Sequence, residues 1–198
     1  MPQVNFPTPL IYAIICESIQ MVESLLDIGA DPTIQINGWY PIHYAVASRS
    51  LDSVRILISY YPKQIASLTK NKSTPLHMAV SSGVYNIVLF LLKHNADPNA
   101  RNAEDHTPFY IATAQPDVSI MKALLSYDAI YEPEDMYENP MALRKHYTFF
   151  ENLLSGNGEI PKKEALFIDD NSESFRDISI KIDLLKQRVA AAEEMTSK

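Results

Sequence analysis

The segment that decides the fold runs from Thr74 to Ala100 and reads TPLHMAVSSGVYNIVLFLLKHNADPNA. A threonine followed by a proline favours the start of a helix, because the hydroxyl can cap free backbone N–H groups and proline suits the first helical position. Asn95 suits the left-handed residue that ends a helix, and Asp97-Pro98 continues into a turn. The buried side of a second helix is marked by apolar residues at helical spacing: Ile87, Val88, Leu91 and Leu92. The segment therefore predicts a unit that runs turn, helix, helix, turn.

The same pattern recurs along the chain at a nearly constant spacing. Prolines separated by 32, 34 and 33 residues stand at Pro9, Pro41, Pro75 and Pro108. An alanine follows each proline four residues later: Ala13, Ala45, Ala79 and Ala112. A large apolar pair comes sixteen and seventeen residues after each proline: Leu25-Leu26, Leu57-Ile58, Leu91-Leu92 and Leu124-Leu125. One such unit cannot bury its own apolar side, so the pattern predicts stacked repeats.

These motifs resemble the ankyrin-repeat family, whose pattern runs T-P-L-H-x-A, then a glycine, then V-x-x-L-L, then G-A-D-x-N-A. The third repeat is close to a full match, with Thr74-Pro75-Leu76-His77, Gly83 and Ala96-Asp97-Pro98-Asn99-Ala100. The resemblance implies an all-α solenoid of four helix-turn-helix repeats with β-turn tips, to which the chain adds a C-terminal helical extension. The predicted repeat array covers residues 7–132, divided at about 7–37, 38–71, 72–104 and 105–132.

The chain departs from the family pattern in two places. The glycine after the first helix of a repeat is present only as Gly83, and its equivalents are Glu17, Arg49 and Pro116. The second repeat ends with Tyr60-Tyr61-Pro62-Lys63 instead of G-A-D. This second departure predicts that the outer helix of the second repeat, or the turn after it, is remodelled.

The chain carries no motif of an enzyme or of a cofactor site. It lacks a phosphate-binding glycine loop and the GxSxG, HExxH and CxxC motifs, and it has only five glycines. His43 and His77 occupy the histidine of T-P-L-H, and the resemblance implies that they hydrogen-bond the backbone of a neighbouring turn rather than bind a metal. We therefore predict that the protein is not an enzyme and needs no cofactor.

Composition and charge limit the class of partner. The net charge is −7, divided as −3 over residues 1–132 and −4 over 133–198, and the basic residues are scattered. Nucleic acids and anionic membranes repel such a chain, so we predict neither as a partner. The chain has a single cysteine, Cys16, no apolar run long enough to span a membrane and no signal peptide. These features predict a cytoplasmic protein.

The resemblance implies that a partner protein is bound on the concave face and at the turn tips, here about Gln35–Tyr40, Thr69–Ser73 and Arg101–His106. The candidate residues are Trp39, Tyr40, Arg49, Lys70, Lys72, Arg101, Asp105 and His106. Two interpretations of Trp39, the single tryptophan, stay open: an exposed binding hot spot, or a staple between the first and second repeats. The basic residues on this side would suit an acidic peptide.

The C-terminal third no longer follows the repeat. Residues 133–156 predict a helix that caps the fourth repeat, 157–171 predict a linker, and 172–195 predict an amphipathic helix. The apolar seam of that last helix is formed by Phe175, Ile178, Ile182, Leu185 and Val189. The seam could form a homodimer, bind a partner or fold back on the solenoid, and we favour folding back.

The sequence as a whole predicts a protein–protein interaction module, an effector or adaptor that sequesters or recruits a partner. The alternative is a scaffold that self-associates through its C-terminal helix. A composition rich in Ile, Asn and Tyr and a glutamate-containing tail predict a bacterial effector that is translocated into a host cytosol and binds a host protein. A viral or an ordinary cellular ankyrin adaptor is the alternative origin. A narrower hypothesis concerns Asn99, because Leu91, Asp97 and Asn99 have the spacing of ankyrin asparagines that animal oxygenases hydroxylate.

Overall fold

A computed structural model of the chain describes residues 7–115 and 118–130. The helix predicted over 133–156, the linker over 157–171 and the helix over 172–195 lie outside these residues, as do Pro116 and the seam of Phe175, Ile178, Ile182, Leu185 and Val189. In the described residues, the chain is helical apart from its turns, and an isolated antiparallel bridge joins Ile36 to Trp39. No helix within the two described ranges is long and apolar enough to cross a membrane.

The α-helices alternate between an inner and an outer layer. The inner layer contains α1 (Pro9–Ile15), α3 (Pro41–Ala47), α5 (Pro75–Ser81) and α7 (Pro108–Thr113). The outer layer contains α2 (Ile19–Asp27), α4 (Leu51–Tyr60), α6 (Tyr85–Lys93) and α8 (Ser119–Leu125). Each inner helix packs against the outer helix of its own repeat and against the next inner helix, so the pairs stack into a solenoid. The predicted all-α repeat architecture is confirmed.

Threonine–proline pairs start three of the inner helices, as the sequence predicts. Thr8 Oγ1 accepts a hydrogen bond from the N–H of Ile11 at 3.2 Å, and Thr74 and Thr107 form the equivalent bonds at 3.3 and 3.1 Å. Tyr40 has no hydroxyl close to its backbone, and its own N–H donates to His43 Nδ1 at 3.1 Å. Each threonine cap contributes about 1 kcal/mol to the stability of its helix.

A continuous apolar core runs between the two layers. The repeated alanines are fully buried, and so are the apolar residues that follow each proline: Leu10, Ile42, Leu76 and Phe109. Because alanine is small, the inner helices can lie close together, and a larger side chain there would cost about 1–3 kcal/mol through overpacking. The core therefore fixes the spacing of the inner helices and of the surface residues that they carry.

The end of the second repeat is remodelled, as its departure from the family pattern predicts. Helix α4 continues to Tyr60, and a 3₁₀ helix, Pro62–Ala66, follows it. Gln64 in this 3₁₀ helix is buried, and its Nε2 donates a hydrogen bond to the carbonyl oxygen of Pro32 at 2.8 Å. Gln64 Oε1 is buried without a partner among the described residues. The remodelled segment thus links the second repeat to the first.

Candidate functional site

Three turn tips precede the second, third and fourth inner helices. Tip one (36–39) is a two-residue hairpin turn in which Asn37 and Gly38 both have positive φ, 54° and 83°. Ile36 and Trp39 exchange two backbone hydrogen bonds of 3.0 Å across this turn. An Asn-Gly pair with two positive φ angles is the preferred sequence for this tight turn, because its twist matches that of the flanking backbone. Tip one therefore holds Trp39 on a short, well-defined loop.

Tips two (69–73) and three (102–106) are each one residue longer than tip one. Thr69 N–H donates to the Ser73 carbonyl oxygen at 3.0 Å, and Asn102 N–H donates to the His106 carbonyl oxygen at 3.1 Å. Lys72 and Asp105 occupy equivalent positions and have positive φ, 53° and 65°. A residue of this conformation usually ends a three-residue hairpin loop. Both tips are thus built alike, and they differ in the side chains that they carry.

The tips contact one another and form a row. The N–H of Ala103 in tip three donates to the carbonyl oxygen of Asn71 in tip two at 2.8 Å. The aliphatic stem of Lys70 in tip two crosses Gly38 in tip one, where an added Cβ would lie 2.4 Å from Lys70 Cγ. A Cβ at this position would displace the Lys70 side chain, and the φ of 83° itself favours glycine. The three tips therefore form a continuous surface.

Trp39 is half-buried against the inner helix of the second repeat. Its ring centroid lies 5.4 Å from that of Tyr44 and 6.5 Å from that of His43. The Tyr44 hydroxyl donates to the Ile36 carbonyl oxygen at 2.9 Å, so tip one is tied to α3 beneath the tryptophan. Trp39 helps to hold tip one and still exposes part of its ring. Both the hot-spot and the staple interpretation remain predictions.

The structure brings four of the predicted site residues together at tips one and two. Tyr40, directly after tip one, is half-buried with its ring 5.9 Å from that of His43. Lys70 and Lys72 are exposed residues of tip two, which contacts tip one through Lys70 and Gly38. Arg49 lies apart from them, after the opposite end of α3, with a positive φ of 57°. Its guanidinium donates to the Ser82 carbonyl oxygen at 3.1 Å and thereby connects the second and third repeats.

The remaining predicted site residues lie together at tip three, with Arg101 directly before it and Asp105 and His106 within it. Arg101 Nη1 is 2.9 Å from Asp105 Oδ2 and also donates to the Asp105 carbonyl oxygen at 2.9 Å. His106 stacks on Tyr110 with a centroid distance of 3.9 Å, and its Nδ1 lies 3.2 Å from Glu104 Oε2. The charged groups of tip three are therefore engaged with one another, whereas tips one and two contain no acidic residue.

The sequence interpretation missed a second set of surface residues, which we call the inner row. It consists of the third residue after each repeat proline: Tyr12, Tyr44, Met78 and Ile111. Tyr12 is 59% exposed and the other three are half-buried, although their neighbours in the same helices are buried, apart from the half-buried Tyr110. Because the inner helices pack side by side, the four side chains form an apolar line across the inner layer. The variable position in T-P-L-H-x-A was the signal that could have identified them.

The two repeated histidines are buried and structural, as the resemblance implies. Nδ1 of His43 accepts the Tyr40 N–H, and Nδ1 of His77 accepts the Thr74 N–H at 3.2 Å. Each Nε2 must therefore carry the proton, and it donates to the Ser67 carbonyl oxygen at 3.2 Å from His43 and to the His106 carbonyl oxygen at 3.1 Å from His77. Burial lowers the pKa of His43 to about 4 and also lowers that of His77. Both side chains are neutral: His77 connects the third and fourth repeats, and His43 connects α3 to the end of the second repeat.

Comparison with known families and proteins agrees with this architecture. A family model described as ankyrin repeats (3 copies) matches residues 10–102 and 61–136. Together these matches cover more than half of the chain.

Individual relatives are similar to parts of the chain. Alpha-latroinsectotoxin-Lt1a of Latrodectus tredecimguttatus is 32% identical over 53% of this chain and 7% of its own length. Putative ankyrin repeat protein L371 of Acanthamoeba polyphaga mimivirus is 27% identical over 82% of this chain and 22% of its own length. Human ankyrin repeat and SOCS box protein 3 is 33% identical over 47% of this chain and 18% of its own length. The chain thus corresponds to less than a quarter of each of these relatives.

Proposed function

Because this chain belongs to the ankyrin-repeat family, we propose that it binds a partner protein along its inner row and its turn tips. Ankyrin repeats are protein–protein interaction modules and are typically not enzymes. The inner row is the observation that carries the proposal, since it places one exposed and three partly exposed large side chains on neighbouring helices. Apolar side chains that stay accessible along one face often mark a protein interaction site.

The surroundings of the inner row favour binding, because they are ordered before a partner arrives. The Tyr44 hydroxyl is hydrogen-bonded to tip one, and Trp39 packs on the Tyr44 ring. Tips one and two are in contact through Lys70 and Gly38. A surface that is already fixed loses little conformational entropy on binding, so more of the contact energy contributes to affinity.

Capture of a partner by the full chain tests this proposal. Tyr12→Ala and Met78→Ala shorten the inner row, and each is expected to weaken binding of a captured partner by about tenfold or more, as for a hot-spot residue. Tyr85→Ala is the matched control, because Tyr85 is a 37% exposed tyrosine of outer helix α6. The binding affinities should be measured by isothermal titration with purified partner. Equal affinity in the wild type and all three variants would exclude the inner row as the binding site.

Two finer roles remain predictions within this proposal. Sequestration or recruitment of a host protein by a translocated effector is supported by composition and by the C-terminal tail alone, and a translocation assay with a reporter fused to the full chain tests it. Self-association through the seam is the alternative function, supported by its heptad spacing. Sedimentation would favour the scaffold if the wild type were a dimer and the double variant Ile182→Asp/Leu185→Asp a monomer.

A further inference from the structure

One block of the chain is nearly free of acidic residues, although its lysines and arginines are hardly denser than elsewhere. Between Pro32 and Ala96 the sequence holds six lysines and arginines and one acidic residue, Asp52, a net charge of +5. The whole chain carries −7, so the positive block stands in an otherwise acidic protein. It spans the second and third repeats together with tips one and two. A positive block of this size attracts an acidic partner and repels a basic one.

The basic side chains of the block divide between the two sides of the solenoid. Arg55, Lys63 and Lys93 belong to α4, the 3₁₀ helix and α6. Arg55 is already engaged, with its guanidinium carbon 5.6 Å from the centroid of the Phe90 ring. Lys70 and Lys72 stand at tip two, and neither forms an ion pair with another described residue. These two lysines are the cations that a partner along the tips would meet.

The aliphatic stem of Lys70 packs on tip one. Its Cγ, Cδ and Cε all lie against Gly38, at 2.4 to 2.7 Å from the position where a Cβ would stand. An exposed lysine normally loses rotamer entropy when it forms an ion pair, which is one reason why such pairs contribute little. Packing of the Lys70 stem on tip one reduces that loss. Trp39, with its exposed ring surface, occupies the same tip.

We propose that tips one and two bind an acidic segment of the partner protein, with carboxylates at Lys70 and Lys72 and a large apolar side chain against Trp39 and Tyr44. This inference rests on the proposed function and adds the chemistry of the partner. A nucleic acid fits less well, because the positive charge is divided between the two sides of the solenoid instead of following one continuous groove. Trp39 and Tyr44, whose ring centroids lie 5.4 Å apart at tip one, offer apolar contacts that a phosphate backbone would not use.

Selection from a display library of short random peptides on the full chain tests the inference. The selected peptides are expected to combine aspartate or glutamate with a large apolar residue. A synthetic peptide from the pool should bind about tenfold more weakly to Lys70→Gln/Lys72→Gln than to the wild type, and added salt should weaken its binding. Lys63→Gln/Lys93→Gln is the matched control, since it removes the same charge from the same block away from the tips, and it should bind like the wild type.

The other outcomes separate this inference from the proposed function. If the selected peptides are neutral or basic and do not bind Trp39→Ala or Met78→Ala, the partner segment is not acidic. The proposed protein-binding surface would still stand. Peptides that no tip or inner-row variant affects, or a selection that enriches nothing, would contradict both. A labelled single-stranded DNA that binds more tightly than the peptides, and that Lys70→Gln/Lys72→Gln releases, would assign the positive charge to nucleic acid.

Discussion

A residue after an inner helix can be strained without changing the repeat, as Glu17 and Arg49 show in comparison with Gly83. All three follow an inner helix, and all three have positive φ: 54°, 57° and 66°. Glycine adopts this conformation without strain, whereas a side chain with a Cβ costs about 1–2 kcal/mol there. The sequence shows that Glu17 and Arg49 replace the glycine of the family pattern. It could not predict that the left-handed turn persists without glycine. In the structure, local backbone hydrogen bonds close the turn, from Ser18 N–H to the Ala13 carbonyl oxygen at 3.0 Å and from Ser50 N–H to the Ala45 carbonyl oxygen at 3.1 Å.

Glu17→Gly is therefore expected to stabilise the protein. The relief of strain outweighs the extra freedom that glycine gives the unfolded chain, so we expect the free energy of unfolding to rise by about 0.5–1 kcal/mol. Urea denaturation followed by circular dichroism measures the change. Glu17→Ala is the control, because alanine retains the Cβ and should give little gain. A stability gain of equal size in both variants would point to loss of the charge instead.

The buried histidines predict a loss of stability in mild acid. A histidine of the unfolded chain takes up a proton near pH 6.5, whereas His43 in the folded protein resists protonation until about pH 4. The free energy of unfolding should therefore be constant above about pH 7 and fall as the pH decreases from 6.5 towards 4, by about 3 kcal/mol for His43. His77 contributes in the same direction. Urea titrations at several pH values measure this dependence of the free energy of unfolding on pH. His43→Gln is the control, and its stability should change less with pH. A wild-type stability that stays constant down to pH 5 would refute the prediction.

At the scale of elements, the sequence predicted helices well and their irregular connections less well. Periodic apolar residues and threonine–proline starts identify the helices because both signals are local. The unusual end at Tyr60-Tyr61 indicated a remodelled second repeat, but not the 3₁₀ helix that the structure has there. The role of Gln64 was not predictable, since its hydrogen-bond partner Pro32 belongs to another repeat.

Gln64→Glu tests how strongly the remodelled segment links the first two repeats. The substitution keeps the shape of the side chain but replaces the donor to the Pro32 carbonyl oxygen with an acceptor, and it buries a carboxylate. We expect a loss of about 2 kcal/mol or more in the free energy of unfolding at neutral pH. Thermal denaturation measures it, with exposed Gln20→Glu in α2 as the matched control. Equal melting temperatures for the two variants would show that the buried bond is dispensable.

At the scale of the whole molecule, the sequence was enough to predict the fold, but it predicted only part of the proposed binding surface. The repeat spacing determined the architecture, since stacked units have one way to bury their apolar sides. Among the candidate residues, Trp39, Tyr40, Lys70 and Lys72 belong to tips one and two or follow them directly, while Arg49 lies beyond the far end of α3. The sequence pattern did not identify the inner row, because its members are apolar and resemble core residues. It did not identify the positive block either, because the net charge was summed over segments that include the acidic residues next to the block.

The measurement that tests the central claim most directly is hydrogen–deuterium exchange of the full chain, alone and saturated with a captured partner. We predict that binding slows exchange at tips one and two and in inner helices α3 and α5, and that Trp39→Ala, which removes the exposed ring, weakens both the protection and the affinity. Protection confined to the outer helices, or to residues beyond 130, with unchanged affinity in Trp39→Ala, would contradict the account.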